Sequence, residues 1–307
     1  MNMLQKIISE KDLAWDKHSG NTIENFSVQI SDNASNELRD NHQLITNLEE
    51  TFPILQKEIL GFKNKFLIGG IGFFVIDGKC FSDFSREETI GIYNKICKAL
   101  GTLYVQNIKN EKFVVIKDEG KSMMSGGRYH QTKEGGSFHT DSPQWNKVPD
   151  FVGLCCVNPA KKGGESKFVS AYSVHNEILK EHKHFLKILY DQFHFDKRGE
   201  YRSDESPTVF EPIFTYDNNH LKVRYLRDYI NDGHKIQNMP LSKEQNGALD
   251  CLDKIIHDEN LAVSYELKQG DMIFLNNGRV LHGRTAFEDF EDIDKKRQMI
   301  RTWIKDI

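Results

Sequence analysis

The stretch GGSFHTD, residues 135–141, places an imidazole and a carboxylate two positions apart, at His139 and Asp141. In an extended strand, residues i and i+2 point to one face, so both side chains can reach one point in space. A second histidine, His282, lies in GDMIFLNNGRVLHGRTAFED, beyond a strand-like run and a turn at Asn276-Asn277-Gly278. Two imidazoles and one carboxylate leave one face of an octahedral Fe(II) open to other ligands. The same three donors with one open position also suit a catalytic zinc. Either histidine alone, among 12 in the chain, reads more simply as a packed or surface residue. The signal is in the combination.

Two arginines bear on the choice of metal. Arg297 and Arg301 are four apart in RQMIRTWI, and on a strand positions 297, 299, 301 and 303 share a face. Both guanidiniums would then point where Met299 and Trp303 point. Fixed cations on an inward face call for an anionic guest, and the guanidinium fork binds carboxylate through two bonds. A zinc-dependent hydrolase has no use for that pair. A barrel that binds a small ligand without turnover has no use for three intact metal donors. Both remain as alternatives of another kind.

Several elements must position these residues. Residues 85–100 read as a helix, with a capping box at Ser85 and Glu88 and Gly101 where a C-terminal cap belongs. A second helix follows SAYSVHNEILKEH, burying Val174, Ile178 and Leu179. A third starts at the box Ser242–Gln245 and carries Leu249, Leu252, Ile255 and Ile256 at helical spacing. Strand-like runs occupy 112–116, 151–157, 262–267, 271–275 and the final RQMIRTWI, and the apolar run 66–76 reads as a buried strand. Short strands between turn residues, with helices outside, point to a sandwich or barrel.

Composition narrows the class. Hydrophobic residues at 38% and charged residues at 28% fit a globular chain with a real core. A net charge of −4 with interspersed signs gives no basic patch, so neither nucleic acid nor an anionic membrane is an expected partner. The N-terminus lacks the pattern of a signal peptide. Five cysteines without a CxxC pair read as reduced thiols of a cytoplasmic protein.

Taken in order, GGSFHTD, GGES (163–166), GDMIFLNNGRVLHGRTAF and RQMIRTW resemble the iron(II)- and 2-oxoglutarate-dependent dioxygenases, nearest the taurine dioxygenase and clavaminate synthase-like group. The resemblance runs from about residue 100 to 307. It implies a mainly β fold with flanking helices, a double-stranded β-helix or jelly roll, in a single catalytic domain over 1–307. Residues 1–60 lie outside the match and are expected as helical decoration. His139, Asp141 and His282 match the family's iron ligands. Arg297 matches the arginine that pairs with the distal carboxylate of 2-oxoglutarate, and Arg301 a second arginine near its other end. Ser166 stands where the family has Thr in GGxT and keeps the hydroxyl.

The implied cofactor is Fe(II), with 2-oxoglutarate and O2 as co-substrates. The implied reaction is hydroxylation of an unactivated C–H with release of succinate and CO2. Desaturation, cyclisation or epoxidation by the same class, and a sulfonate substrate, stay open. Related halogenases lack the ligating carboxylate, so Asp141 argues against halogenation. Arg224, Arg227 and Asp228 in KVRYLRDYI, with Gln106 and Arg284, are candidate substrate contacts. Their mixed charges, and the Asn-Asn before GRVLHGR, favour a small amino acid or a metabolite derived from one. The sequence carries no expectation of oligomeric state.

Overall fold

The computed structural model describes residues 3–19, 26–47, 49–107, 109–121 and 131–307. In chain order its main strands are β1 (Ser27–Val28), β2 (Phe73–Ile76), β3 (Thr102–Tyr104), β4 (Phe113–Ile116), β5 (Gly136–His139), β6 (Phe151–Asn158), β7 (Ser166–Ser170), β8 (Val263–Tyr265), β9 (Met272–Asn276), β10 (Val280–Arg284) and β11 (Gln298–Lys305). They form two sheets. The larger has the order β1-β2-β9-β6-β11-β3, with β4 also on β11; the smaller has the order β8-β7-β10-β5. Strands β9 and β10 are consecutive in the chain yet belong to opposite sheets. This crossing, at residues 277–279, is how a jelly roll winds.

Alternation along each strand sorts side chains to two sides. Phe73, Val75, Val152, Phe168, Ile273, Leu275, Met299 and Trp303 fill the space between the sheets, where Phe73 stacks on Phe168 with centroids 4.8 Å apart. The alternate residues Phe74, Phe151, Phe274, Ile300 and Ile304 face outward against helices α1 (Asp32–Asp40), α2 (Pro53–Phe62) and α3 (Arg86–Leu100). The outer side of the smaller sheet, through Phe138, Val169 and Leu281, packs on a second helical layer. That layer comprises α4 (Ala171–Glu181), α5 (Lys183–Leu189), α6 (Arg227–Ile236) and α7 (Lys243–Ile256). Each large side chain so buried contributes about 1.5–3 kcal/mol.

The helices start where the sequence places them. Both capping boxes form, Ser85 with Glu88 and Ser242 with Gln245. Two expectations need correction. The run 66–76 is a strand only from Phe73. Before it, Lys63–Ile68 is a π-helical turn and residues 69–72 bend, with Gly72 at φ +89°, a conformation in which side chains other than glycine are strained.

The N-terminal region is more than helical decoration. Residues 3–19 hold no helix, and Trp15 is buried between the sheets, its Nε1 donating to the Ile71 carbonyl at 2.7 Å. Asn176 on α4 exchanges both hydrogen bonds with the backbone of Ile8, at 3.0 and 2.8 Å. The sheet likewise begins before residue 100, since β1 and β2 belong to it. All five cysteines are free thiols.

Candidate active site

Strand β5 delivers His139 and β10 delivers His282, and the two are direct partners in the antiparallel register. Their ring centroids lie 4.6 Å apart. Asp141 follows β5 by two residues, and its Oδ1 is 3.6 Å from the Nε2 of each histidine. One donor atom from each of the three lies within 4.8 Å of the others. Two donors sharing an ion at about 2.1 Å lie roughly 3.0–3.4 Å apart, so the triad is close to ligating geometry.

The protonation states also fit a cation. His139 Nδ1 is 3.1 Å from the Ser137 carbonyl. A carbonyl only accepts, so Nδ1 carries the proton and Nε2 presents its lone pair. Burial, and the nearby Arg301 guanidinium, push the His282 pKa down, which keeps it neutral at pH 7. Burial alone would raise the Asp141 pKa. The positive charge of the Arg301 guanidinium beside it holds it well below the usual carboxylate range. A neutral His282 and an ionised Asp141 are what a divalent metal requires of such ligands.

The second oxygen of Asp141 is engaged elsewhere. Trp303 Nε1 donates to Oδ2 at 2.5 Å, and Arg301 Nη1 lies 3.4 Å from the same atom. Residues 299, 301 and 303 do share the inward face of β11, as the alternation predicts. Met299 and Trp303 are in the inter-sheet core and Arg301 points at Asp141.

The turn carrying Asp141 is pinned from several sides. Its N–H donates to Asn277 Oδ1 at 2.7 Å, while Asn277 Nδ2 donates to the carbonyls of Asp141 and Pro149 at 3.0 and 3.1 Å. Arg224 donates to the carbonyls of Pro143 and Trp145, at 3.0 and 2.9 Å. Thr140 and Tyr225 exchange two more bonds, at 2.9 and 3.0 Å. Between them Ser142 sits at φ +55°, a costly conformation for a non-glycine residue that the surroundings must enforce.

A cavity of about 870 Å³ opens over His139 and Asp141, while His282, Ser166 and Arg297 are not among its lining residues. Of the residues singled out in the sequence, His139, Asp141, Gln106, Arg227, Asp228 and Arg301 line it. Gln106 is fully committed: its Oε1 accepts from Arg301 Nε at 2.9 Å and its Nε2 donates to the carbonyls of Lys112 and Arg301, each at 2.9 Å. It therefore orients Arg301 and has no donor left for a substrate. Arg227 reaches the cavity wall with its guanidinium paired to Asp253 and Asp250 at 3.0 and 2.8 Å. Asp228 beside it is exposed.

Arg224 and Arg284 depart from the expected substrate contacts. Arg224 is the anchor of the Asp141 turn. Arg284 is buried and donates to the carbonyls of Thr132 and Glu134 at 3.0 Å and of Thr285 at 3.3 Å. It braces the segment leading into β5. Ser166 lies opposite Arg284 in the β7–β10 register, so it faces the same side as His282 and is buried. Arg297, just before β11, is buried with its guanidinium over the Phe287 ring at 5.0 Å. Gly164 sits at φ +77°, where other side chains are strained, and a Cβ there would lie 3.3 Å from Arg297 Nε. Asn277 and Trp303 are the residues whose tasks the sequence does not disclose. The only trace is the Asn-Asn turn and the inward parity of position 303.

The family profile "Taurine catabolism dioxygenase TauD, TfdA family" matches residues 67–303. The chain belongs to this family. As a TauD/TfdA dioxygenase it is a non-haem iron oxidoreductase that uses 2-oxoglutarate, and the hydrolase and ligand-binder alternatives fall away. Among relatives of this TauD/TfdA chain, FR-33289 synthase of Streptomyces rubellomurinus is 31% identical over 240 residues, covering 76% of this chain and 69% of that protein. Human gamma-butyrobetaine dioxygenase is 26% identical over 164 residues, 52% of this chain and 42% of its own. In fold, the TauD/TfdA chain is similar to an asparagine oxygenase solved with Fe(II), 2S,3S-3-hydroxyasparagine and succinate. That match has a TM-score of 0.70 at 15% identity and covers 91% of this chain and 93% of that one. It is also similar to the non-heme iron oxygenase OrfP, solved with Fe, succinate and (3S)-hydroxy-L-Arg, at TM-score 0.64 and 13% identity over 91% and 94% of the chains. Among the described residues of this dioxygenase, no helix is long and apolar enough to cross a membrane.

Proposed function

We propose that this dioxygenase hydroxylates an unactivated C–H of a small amino acid or amino-acid-derived metabolite, with His139, Asp141 and His282 holding Fe(II). The observation that carries this is the convergence of the three donors, with His139 and Asp141 lining a cavity that has a charged wall. Bound iron, with 2-oxoglutarate and O2, supplies the oxidant, and succinate and CO2 leave as co-products. Arg297 and Ser166 bind the far carboxylate of 2-oxoglutarate in this reading, and Arg301 steadies the end nearer the iron. The burial of Arg297 and Ser166 supports their part of the assignment, because a buried guanidinium favours an anionic guest.

The cavity lining suggests where a substrate would sit. It carries Asp228 and Glu200 along with the cations Arg198 and Arg227, of which Arg198 is paired with Asp232 at 2.9 Å and Arg227 with Asp253 at 3.0 Å. A surface bearing both signs suits a zwitterion better than a simple alkylsulfonate, which lacks an ammonium group. The hydroxylated amino acids in the two structural neighbours are consistent with this. None of the described residues before Gln106 lines the cavity, so the N-terminal region serves as scaffold within one catalytic unit. Free thiols at all five cysteines fit a cytoplasmic setting.

The test is a panel of amino acids and their derivatives, with sulfonates alongside, given to iron-loaded enzyme with 2-oxoglutarate. One panel member should drive succinate formation and gain a single oxygen by mass. Succinate formation driven by sulfonates alone, or loss of two hydrogens from the product, would replace this reading.

A further inference from the structure

The two oxygens of Asp141 stand in unequal surroundings. Oδ1 faces both imidazoles at 3.6 Å, whereas Oδ2 accepts from Trp303 Nε1 at 2.5 Å and lies 3.4 Å from Arg301 Nη1. A carboxylate beside a divalent cation is able to bind through one oxygen or through both. The difference matters here. Two histidines and a one-oxygen carboxylate leave three positions of an octahedral ion open, the number that a chelating 2-oxoglutarate and O2 together need. A two-oxygen carboxylate leaves only two.

We propose that Trp303 is a positioning residue that holds Asp141 Oδ2 away from the metal, so that the carboxylate binds through Oδ1 alone and the third position stays open. The proposal rests on the reading of His139, Asp141 and His282 as the iron ligands. An indole N–H is a donor only; it neither accepts a proton nor competes for the ion. Its 2.5 Å contact is shorter than that of Arg301, whose 3.4 Å separation is long for a charge-assisted bond. The indole is also well fixed. Trp303 is buried, pairs with Tyr104 on one side and Val152 on the other, and meets the Trp145 ring edge-on at 5.3 Å. Gln106 fixes Arg301 from behind, so the weaker partner of Oδ2 is also held in place.

Two variants separate the N–H from the bulk of the ring. Trp303→Phe keeps an aromatic side chain, and β-(3-benzothienyl)alanine at position 303 keeps the bicyclic shape with sulfur in place of N–H. Thermal unfolding first establishes that each is folded. Anaerobic calorimetry then measures Fe(II) binding to the metal-free protein, and the visible charge-transfer band measures 2-oxoglutarate binding to the Fe(II) form. Expected is Fe(II) affinity equal to or above that of the unaltered protein, with the half-saturating 2-oxoglutarate raised about tenfold in both variants. A merely structural role would weaken both or neither. A normal band at normal 2-oxoglutarate concentration in both variants overturns the positioning role alone. Failure of the unaltered protein to bind Fe(II) overturns the ligand assignment and this role with it.

Discussion

His139 and His282 are direct cross-strand partners, with ring centroids 4.6 Å apart. Because side chains alternate with a period of two, a slip of one residue between β5 and β10 would send one imidazole to the helix-packed side. Phe138 and Leu281, which already face that side, oppose the slip by their burial. Metal geometry is thus set by strand register. His139→Ala should leave the fold intact, since the residue sits at the cavity edge. It should weaken Fe(II) binding and lower turnover by more than the ~100-fold that a change outside the ligand set produces. Calorimetry with Fe(II) and a succinate assay read the two effects.

Asn277 holds the Asp141 turn through three hydrogen bonds and is buried. Asn277→Ala would strand one N–H and two carbonyls, at a cost of at least about 3 kcal/mol given ~1–3 kcal/mol per unsatisfied buried group. Urea unfolding of the metal-free protein should show that loss. Fe(II) affinity should fall as well, because the carboxylate then loses its placement.

Arg297 is assigned to the co-substrate and not to the metal. Arg297→Ala should raise the 2-oxoglutarate requirement at least about tenfold, since one charge-assisted bidentate contact is lost, and should leave Fe(II) binding unchanged. Arg297→Lys keeps the charge but not the fork, so it should fall in between. Unchanged 2-oxoglutarate affinity in the alanine variant would remove the assignment.

A buried histidine away from the site predicts an acid weakness. His175 is fully buried, with Nε2 3.0 Å from the Tyr190 hydroxyl, and burial holds its pKa down at about 4. The unfolded chain protonates it near pH 6.5. Below that value the unfolded state binds more protons than the folded one, so stability falls as pH drops. The contribution is complete above pH 6.5 and is lost towards pH 4. Between pH 7 and 5 it amounts to about 2 kcal/mol. Urea midpoints at the two pH values should therefore move further apart in the unaltered protein than in His175→Phe.

Much of this site was legible in the sequence because its parts are local or periodic. His139 and Asp141 are two residues apart, and Arg301 and Trp303 share the parity of Met299, so strand alternation alone places them together. The helix starts at Ser85 and Ser242 follow from capping chemistry, which is also local. What the sequence withheld is set by long-range pairing. Nothing near Asn277 says that its amide will reach Asp141, and nothing near Gln106 says that Arg301 will consume it. By position Arg224 and Arg284 read as substrate contacts, but Pro143, Trp145, Thr132 and Glu134, whose carbonyls they bind, lie far away in the chain. Trp15, in the short stretch DLAWDKH, gives no sign that it will close the space between the sheets.

Anaerobic addition of Fe(II) and then 2-oxoglutarate to the metal-free protein, followed in the visible spectrum, bears most directly on the site as a whole. The triad and its cavity predict a charge-transfer band that requires both additions and is absent from His282→Ala. A protein that binds zinc tightly and gives no band with Fe(II) and 2-oxoglutarate would contradict the assignment of His139, Asp141 and His282 to iron.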